Sequence, residues 1–272
     1  MPVGTDPAAV TPVAGQPAAA ERPLLVASHV SRHFEGVRAV EDVSMDVLPG
    51  RITGLIGPNG AGKSTFLAVL AGTLPASSGT ITFDGDDVTA LPAFKRARRG
   101  LVRTFQLPSE FGQLTVLENL LSAAPNNRGD SLGGALLGKR YWKADEDRLV
   151  EQARILLDRF RMSAKESDYA SSLSGGQKRL VEIMRALMAE PTVLLLDEPF
   201  AGLLPTLART IEGHLMALRD EGLTMLMVEH ELGPVERMAD STIVMAQGQV
   251  LARGLMTELR DNSAVVEAYL VG

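Results

Sequence analysis

The run Gly57-Pro58-Asn59-Gly60-Ala61-Gly62-Lys63-Ser64-Thr65 constrains this chain more than any other feature. It fits the pattern G-x-x-x-x-G-K-[ST], in which glycines let the backbone bend until successive N–H groups converge on phosphate oxygens. Such a loop needs a strand before it and a helix N-terminus after it, whose positive end adds to the anion site. Residues 51–56 read as a short strand entering the loop, and residues 63–71 read as a helix closed by Gly72. Lys63 is expected to reach the β- and γ-phosphates, and the Ser64 hydroxyl to ligate Mg²⁺. Alone, the loop implies only a protein that binds a nucleotide by its phosphates.

Hydrophobic periodicity organises the rest. Residues 1–22 are rich in Ala and Pro and read as a disordered tail. Residues 24–30 and 43–47 read as strands, the second alternating apolar with acidic or polar residues. Residues 80–83 form another, followed by the turn Asp84-Gly85-Asp86. The stretch of about residues 90–165 reads as an inserted helical lobe, with helices at 115–123 and 145–160 and a glycine-rich loop at 126–138. A helix at 177–189 follows. Residues 193–196 and 224–228 are unbroken apolar runs, as expected of strands buried on both faces. Leu207, Ile211, Leu215 and Leu218 mark a helix between them. A hairpin around Gly248 and a final helix carrying Val265, Val266, Tyr269 and Leu270 complete the chain. Strands alternating with helices predict an α/β sheet core.

Two motifs add chemistry. The strand at 193–196 runs into Asp197-Glu198, which puts two carboxylates at the carboxyl edge of the sheet, where open α/β folds bind nucleotides. Asp197 is expected to hold Mg²⁺, directly or through water, and Glu198 to act on the attacking water as general base or to position it. Leu173-Ser174-Gly175-Gly176-Gln177 precedes a helix, with Ser174 as N-cap and the glycines exposing N–H groups at the positive helix end. This is a second anion site. One nucleotide cannot occupy both sites if they lie far apart in one domain; a head-to-tail pair of subunits, which the resemblance stated next implies, would resolve this.

With these residues on the page, the chain resembles the ATP-binding-cassette (ABC) ATPase family from about Leu24 to Gly272. Residues 173–177 match the family's LSGGQ signature in full, Gln106 matches its Q-loop glutamine, and His230 matches its switch histidine. Phe34 falls where the family carries an aromatic that stacks on adenine. The resemblance implies a P-loop NTPase core of ABC type: a mixed sheet with surrounding helices, an N-terminal antiparallel β portion and an inserted helical lobe. It implies ATP and Mg²⁺ as cofactors, with Ser64, Gln106 and Asp197 around the metal and Glu198, His230, Lys63 and Gln106 in the catalytic set. It also implies that Ser174, Gly175 and Gln177 reach the γ-phosphate bound by a partner. One position departs from the pattern: Leu204 stands where the family usually has an acid or Asn, and leucine cannot make that polar contact across the dimer.

Arg103-Thr104-Phe105-Gln106, the run at 114–120, Ala201-Gly202-Leu203, Glu229-His230-Glu231 and Glu267-Ala268-Tyr269-Leu270 look like the larger ATPase of branched-chain amino acid importers. That likeness implies a second ATPase subunit, in a heterodimer or as a second copy in a homodimer. It also implies two permease subunits, an external solute-binding protein and a location on the cytoplasmic face of the cell membrane. Urea and short amides stay open as solutes. ATPases of iron–sulfur cluster assembly and of lipopolysaccharide export are the rival readings.

Composition narrows the alternatives. A net charge of −6 carries none of the basic surplus expected of a duplex nucleic-acid binder. With no cysteine, neither a disulfide framework nor a thiolate metal site can form. No run approaches the ~20 apolar residues of a spanning helix, so a soluble chain that meets the membrane through partners is expected.

Overall fold

The computed structural model describes residues 21–104, 112–125 and 139–271. Strands β1 (Leu25–Phe34) and β2 (Val37–Val47) pair antiparallel, and β4 (Ser78–Phe83) and β5 (Asp86–Asp87) extend them into a four-stranded sheet of order β2-β1-β4-β5. β1 runs on past the expected 24–30 because register shifts after Ala27, Val30 and Arg32 break its alternation, which hides its second half from a period-two reading.

The second sheet contains β3 (Ile52–Ile56), β6 (Leu101–Arg103), β7 (Val193–Asp197), β8 (Thr224–Val228), β9 (Ser241–Ala246) and β10 (Gln249–Gly254) in the order β10-β9-β3-β8-β7-β6. All neighbours are parallel except β9 and β10, which form the expected hairpin. Its turn residues Gln247 and Gly248 both have positive φ (49° and 79°), which suits a two-residue hairpin loop.

The buried strands divide their side chains by alternation. Leu194, Leu196, Met225 and Met227 face one core, and Val193, Leu195, Leu226 and Val228 face the other. Helix α1 (Lys63–Leu70) fills the second core with Phe66, Leu67, Val69 and Leu70, between the two sheets. The first core is covered by helices α3 (Val116–Leu121), α4 (Lys139–Arg159), α5 (Gly175–Met188), α6 (Pro205–Asp220) and α7 (Leu232–Met238). Leu149, Ala153, Leu157 and Phe160 are buried on the expected face of the 145–160 segment. The short α8 (Met256–Leu259) and α9 (Ser263–Val271) close the chain.

One expectation needs correcting. The stretch assigned to a helical lobe, 90–165, is not helical throughout. Its residues 101–103 form β6, the edge strand of the main sheet, in register with β7 (Leu101↔Val193, Arg103↔Leu195). Three residues carry no readable alternation, and α2 (Ala93–Ala97) just before them masks the change. Arg96 on α2 explains the anchoring of this entry. It is 1% exposed and donates to the carbonyls of Val69 and Leu70 at the end of α1, and of Leu91 and Thr89. The carbonyls left over at a helix C-terminus thereby gain a buried cation. The expected tail falls outside the described residues except for Glu21 and Arg22, and so does the 126–138 loop.

Among the described residues, no helix is long and apolar enough to cross a membrane.

Candidate active site

Because β3, β7 and β8 are parallel and in register (Leu55↔Val228, Asp197↔Val228), they end on the same edge. The loop after β3, the Glu198 turn after β7 and Glu229-His230 after β8 therefore meet there. The 57–65 loop crosses to α1 in a conformation that excludes side chains at two points. A Cβ on Gly62 (φ +97°) would sit 2.2 Å from the Ala39 carbonyl oxygen, and one on Gly57 (φ +153°) would sit 2.1 Å from that of Met245.

Among the described residues, none accepts a hydrogen bond from the backbone N–H of Gly60, Gly62, Lys63, Ser64 or Thr65. The first turn of a helix always leaves such donors. Here they border a cleft of about 440 Å³ lined by Val37, Arg38 and Ala39, by residues 59–65, and by Glu198 and Gln247-Gly248. Five unused donors at a positive helix end make an anion site.

Lys63 is buried, and its Nζ donates to the carbonyls of Gly57 (2.8 Å) and Pro58 (3.0 Å). Burial pulls its ammonium below the usual lysine range, and the carboxylates of Glu198, Glu229 and Asp197 oppose that pull. The Ser64 residue is exposed, on the cleft wall.

Glu198 has the left-handed backbone uncommon for a side chain of its size (φ +44°). Its N–H donates to the Val228 carbonyl (3.0 Å), and its own carbonyl accepts from Arg179 Nη2 (3.1 Å). That turn carries the side chain into the cleft lining. His230 Nδ1 lies 3.7 Å from Glu198 Oε1 and 4.0 Å from Glu229 Oε2, in electrostatic contact but beyond hydrogen bonding.

Asp197 ends β7 as expected, and Arg103 Nη2 donates to its Oδ2 at 2.6 Å. Phe34 is 37% exposed and stays out of the core. The Arg32 guanidinium covers one face of its ring, 4.4 Å from the centroid. Phe34 does not line the cleft itself; its strand partner Val37 does. Gln106 lies outside the described residues.

Ser174 caps α5. Its Oγ accepts from the Gln177 N–H (3.4 Å), and Gln177 Oε1 accepts from the Ser174 N–H (3.0 Å), forming a capping box. None of residues 174–177 lines the cleft that holds the 59–65 loop. Leu204 is 73% exposed at the N-cap of α6, where its side chain caps nothing.

Sequence reading missed three contributors: Arg103, Arg179 and Glu229. Only Glu229 left a signal, an acid at the end of an unbroken apolar strand, where burial is expected.

The profile of the family described as ABC transporter matches residues 40–201. A probable branched-chain amino acid transport ATP-binding protein, LivG of Archaeoglobus fulgidus, is 38% identical over 247 residues, covering 91% of this chain and 95% of that protein. The lipopolysaccharide export system ATP-binding protein LptB of Escherichia coli K12 is 37% identical over 246 residues, covering 90% and 96%. A crystal structure of the ADP conformation of an ATP-binding cassette of an ABC transporter superposes with a TM-score of 0.81 at 36% identity, covering 92% of this chain and 100% of the other.

Proposed function

The chain belongs to the ABC transporter family as an ATP-hydrolysing cassette, and on that premise we propose that it drives the import of a small solute, branched-chain amino acids first among candidates. The observation that carries the ATPase reading is the set of unused N–H donors at Gly60 and at Gly62 through Thr65, on the same cleft as Glu198. The import reading is supported by the full-length similarity to LivG.

In this reading the 57–65 backbone and Lys63 grip the β- and γ-phosphates, and the base lies toward Phe34 and Val37. Ser64 and Asp197, with Gln106, would hold Mg²⁺. Ser64 is exposed and Asp197 partly so, and such a small set of oxygen donors fits an ion that keeps several waters and takes the rest of its ligands from phosphate. When bound, the ion offsets charge on the phosphates. Glu198 takes or orients the proton of the attacking water, and His230 meets the charge that develops on the γ-phosphate. The Ser174–Gln177 helix end closes over nucleotide held by an opposing subunit. Gly175 supports this: no atom lies within 4 Å of where its Cβ would be, so packing within the chain does not demand glycine there. Close approach of its backbone to a partner's phosphate does. The opposing subunit is a second ATPase in a heterodimer or a further copy of this chain. Two permease subunits and an external binding protein complete the assembly at the cytoplasmic face of the membrane. The domain division is a tail over 1–22 followed by a single ATPase domain with a helical insertion.

Arg103 makes the metal requirement testable, because it and Mg²⁺ draw on the same Asp197 carboxylate. Arg103→Met is expected to lower the Mg²⁺ concentration for half-maximal ATPase by up to about fivefold, the scale of roughly 1 kcal/mol for a partly exposed ion pair. A Mg²⁺ titration reads this, and an unchanged or higher requirement contradicts the competition.

The solute is tested by ATPase activity of the reconstituted complex against branched-chain amino acids, urea and short amides. Stimulation by the amino acids through the binding protein is expected. The match to LptB at 37% identity favours a second reading, lipopolysaccharide export. Stimulation by lipopolysaccharide alone would replace the first reading with the second.

A further inference from the structure

Glu229 follows β8 and is 0% exposed, in a part of the site the mechanism above does not use. Its backbone N–H donates to the Leu55 carbonyl (3.1 Å), one residue before the end of β3. Its Oε1 accepts from the Phe200 N–H (3.1 Å), two residues after Glu198. Its Oε2 has no hydrogen-bond partner and faces His230 Nδ1 at 4.0 Å. A buried carboxylate oxygen without a partner is costly, and a fold keeps one where another interaction requires the group.

The Phe200 N–H is that interaction. The turn from Glu198 to Ala201 contains a non-glycine residue with positive φ, a conformation that persists only where its surroundings hold it. Four hydrogen bonds do so: Glu198 N–H to Val228 O, Ala201 N–H to Glu198 O, Arg179 to Glu198 O, and Phe200 N–H to Glu229. Only the last uses a side chain from the segment after β8 that carries His230. We propose that Glu229 is a positioning residue for hydrolysis: its Oε1 clamps the Phe200 amide and so keeps the Glu198 turn in register with β3 and His230.

Burial pushes the Glu229 carboxyl up to about 7, against the pull of the Phe200 N–H and His230 and with the Glu198 carboxylate adding to the rise; Lys63 is the cation nearby. Protonated or not, the group offers Phe200 an acceptor oxygen, so the clamp needs an acceptor at that reach and no charge.

The proposal rests on the ATPase reading, and the test separates the two. ATP affinity and kcat are measured on the assembled complex for wild type and for Glu229→Gln, Glu229→Asp and Glu229→Leu. Gln keeps the acceptor at the same reach and is expected to stay within about threefold of wild type in kcat. Asp keeps the acid but falls one methylene short of Phe200, and Leu removes the acceptor. Both are expected to lose kcat by about tenfold or more, the scale of a small misplacement of a reacting group. Nucleotide Kd should stay within about threefold throughout, because the clamp touches no phosphate donor. If Leu does not fold, the contrast between Gln and Asp decides the matter. Kcat retained in Asp, or lost equally in Gln and Asp, overturns the clamp. No ATP turnover by the wild-type complex overturns the ATPase reading instead.

Discussion

Glu198→Gln is expected to lower ATP turnover of the assembled complex by about 10²–10⁴-fold, the usual worth of a general base, while leaving ATP binding in place. The substitution keeps volume and hydrogen-bonding shape, so the turn with φ +44° and its bonds to Val228 and Arg179 survive. It removes the capacity to accept a proton in the cleft facing the 59–65 loop. Binding and turnover should therefore separate: nucleotide titrations match wild type, and phosphate release nearly stops. Unchanged turnover would deprive Glu198 of its role and leave His230, 3.7 Å away, as the alternative base.

Lys63→Ala should act on the opposite quantity. The lysine supplies charge-assisted hydrogen bonds to phosphate, each worth about 1.5–3 kcal/mol. Losing one or two corresponds to roughly 10–10⁴-fold weaker ATP binding. ADP, which lacks the γ-phosphate, should lose less than ATP. The variant should remain folded, since Lys63 itself lines an open cleft and its removal lets water reach the carbonyls of Gly57 and Pro58 that it now satisfies. Isothermal titration with both nucleotides checks the difference. Equal affinity in wild type and variant would mean that Lys63 serves the loop's own carbonyls and nothing else.

Much of this molecule is written in local pattern. The runs at 193–196 and 224–228 have only one stable use, a doubly buried strand, and both are that. Because β8 pairs parallel with β3, and β7 parallel with β8, Asp197, Glu198 and His230 leave the sheet at the same edge as the 57–65 loop, although of the three only Glu198 lines the cleft beside that loop. The capping box at Ser174 and Gln177 was half legible, as Ser174 alone. What escaped depends on pairings between distant segments. Arg103 and Asp197 are 94 positions apart, and Glu229 and Phe200 are 29 apart. No periodicity signals such a bond, because its geometry is decided by how β6, β7 and β8 stack. Strand β6 escaped because it is three residues long and borrows its conformation from β7. Gln106 lies outside the described residues.

Hydrogen exchange of the Glu198→Gln chain, with and without Mg·ATP, asks whether the loop grips a triphosphate. The N–H groups of Gly60, Gly62, Lys63, Ser64 and Thr65 have no acceptor among the described residues, so they should exchange readily until phosphate oxygens take them. About tenfold or greater slowing across 57–65 on nucleotide binding is expected. Exchange that stays unchanged across those residues while ATP is bound would contradict the phosphate cradle.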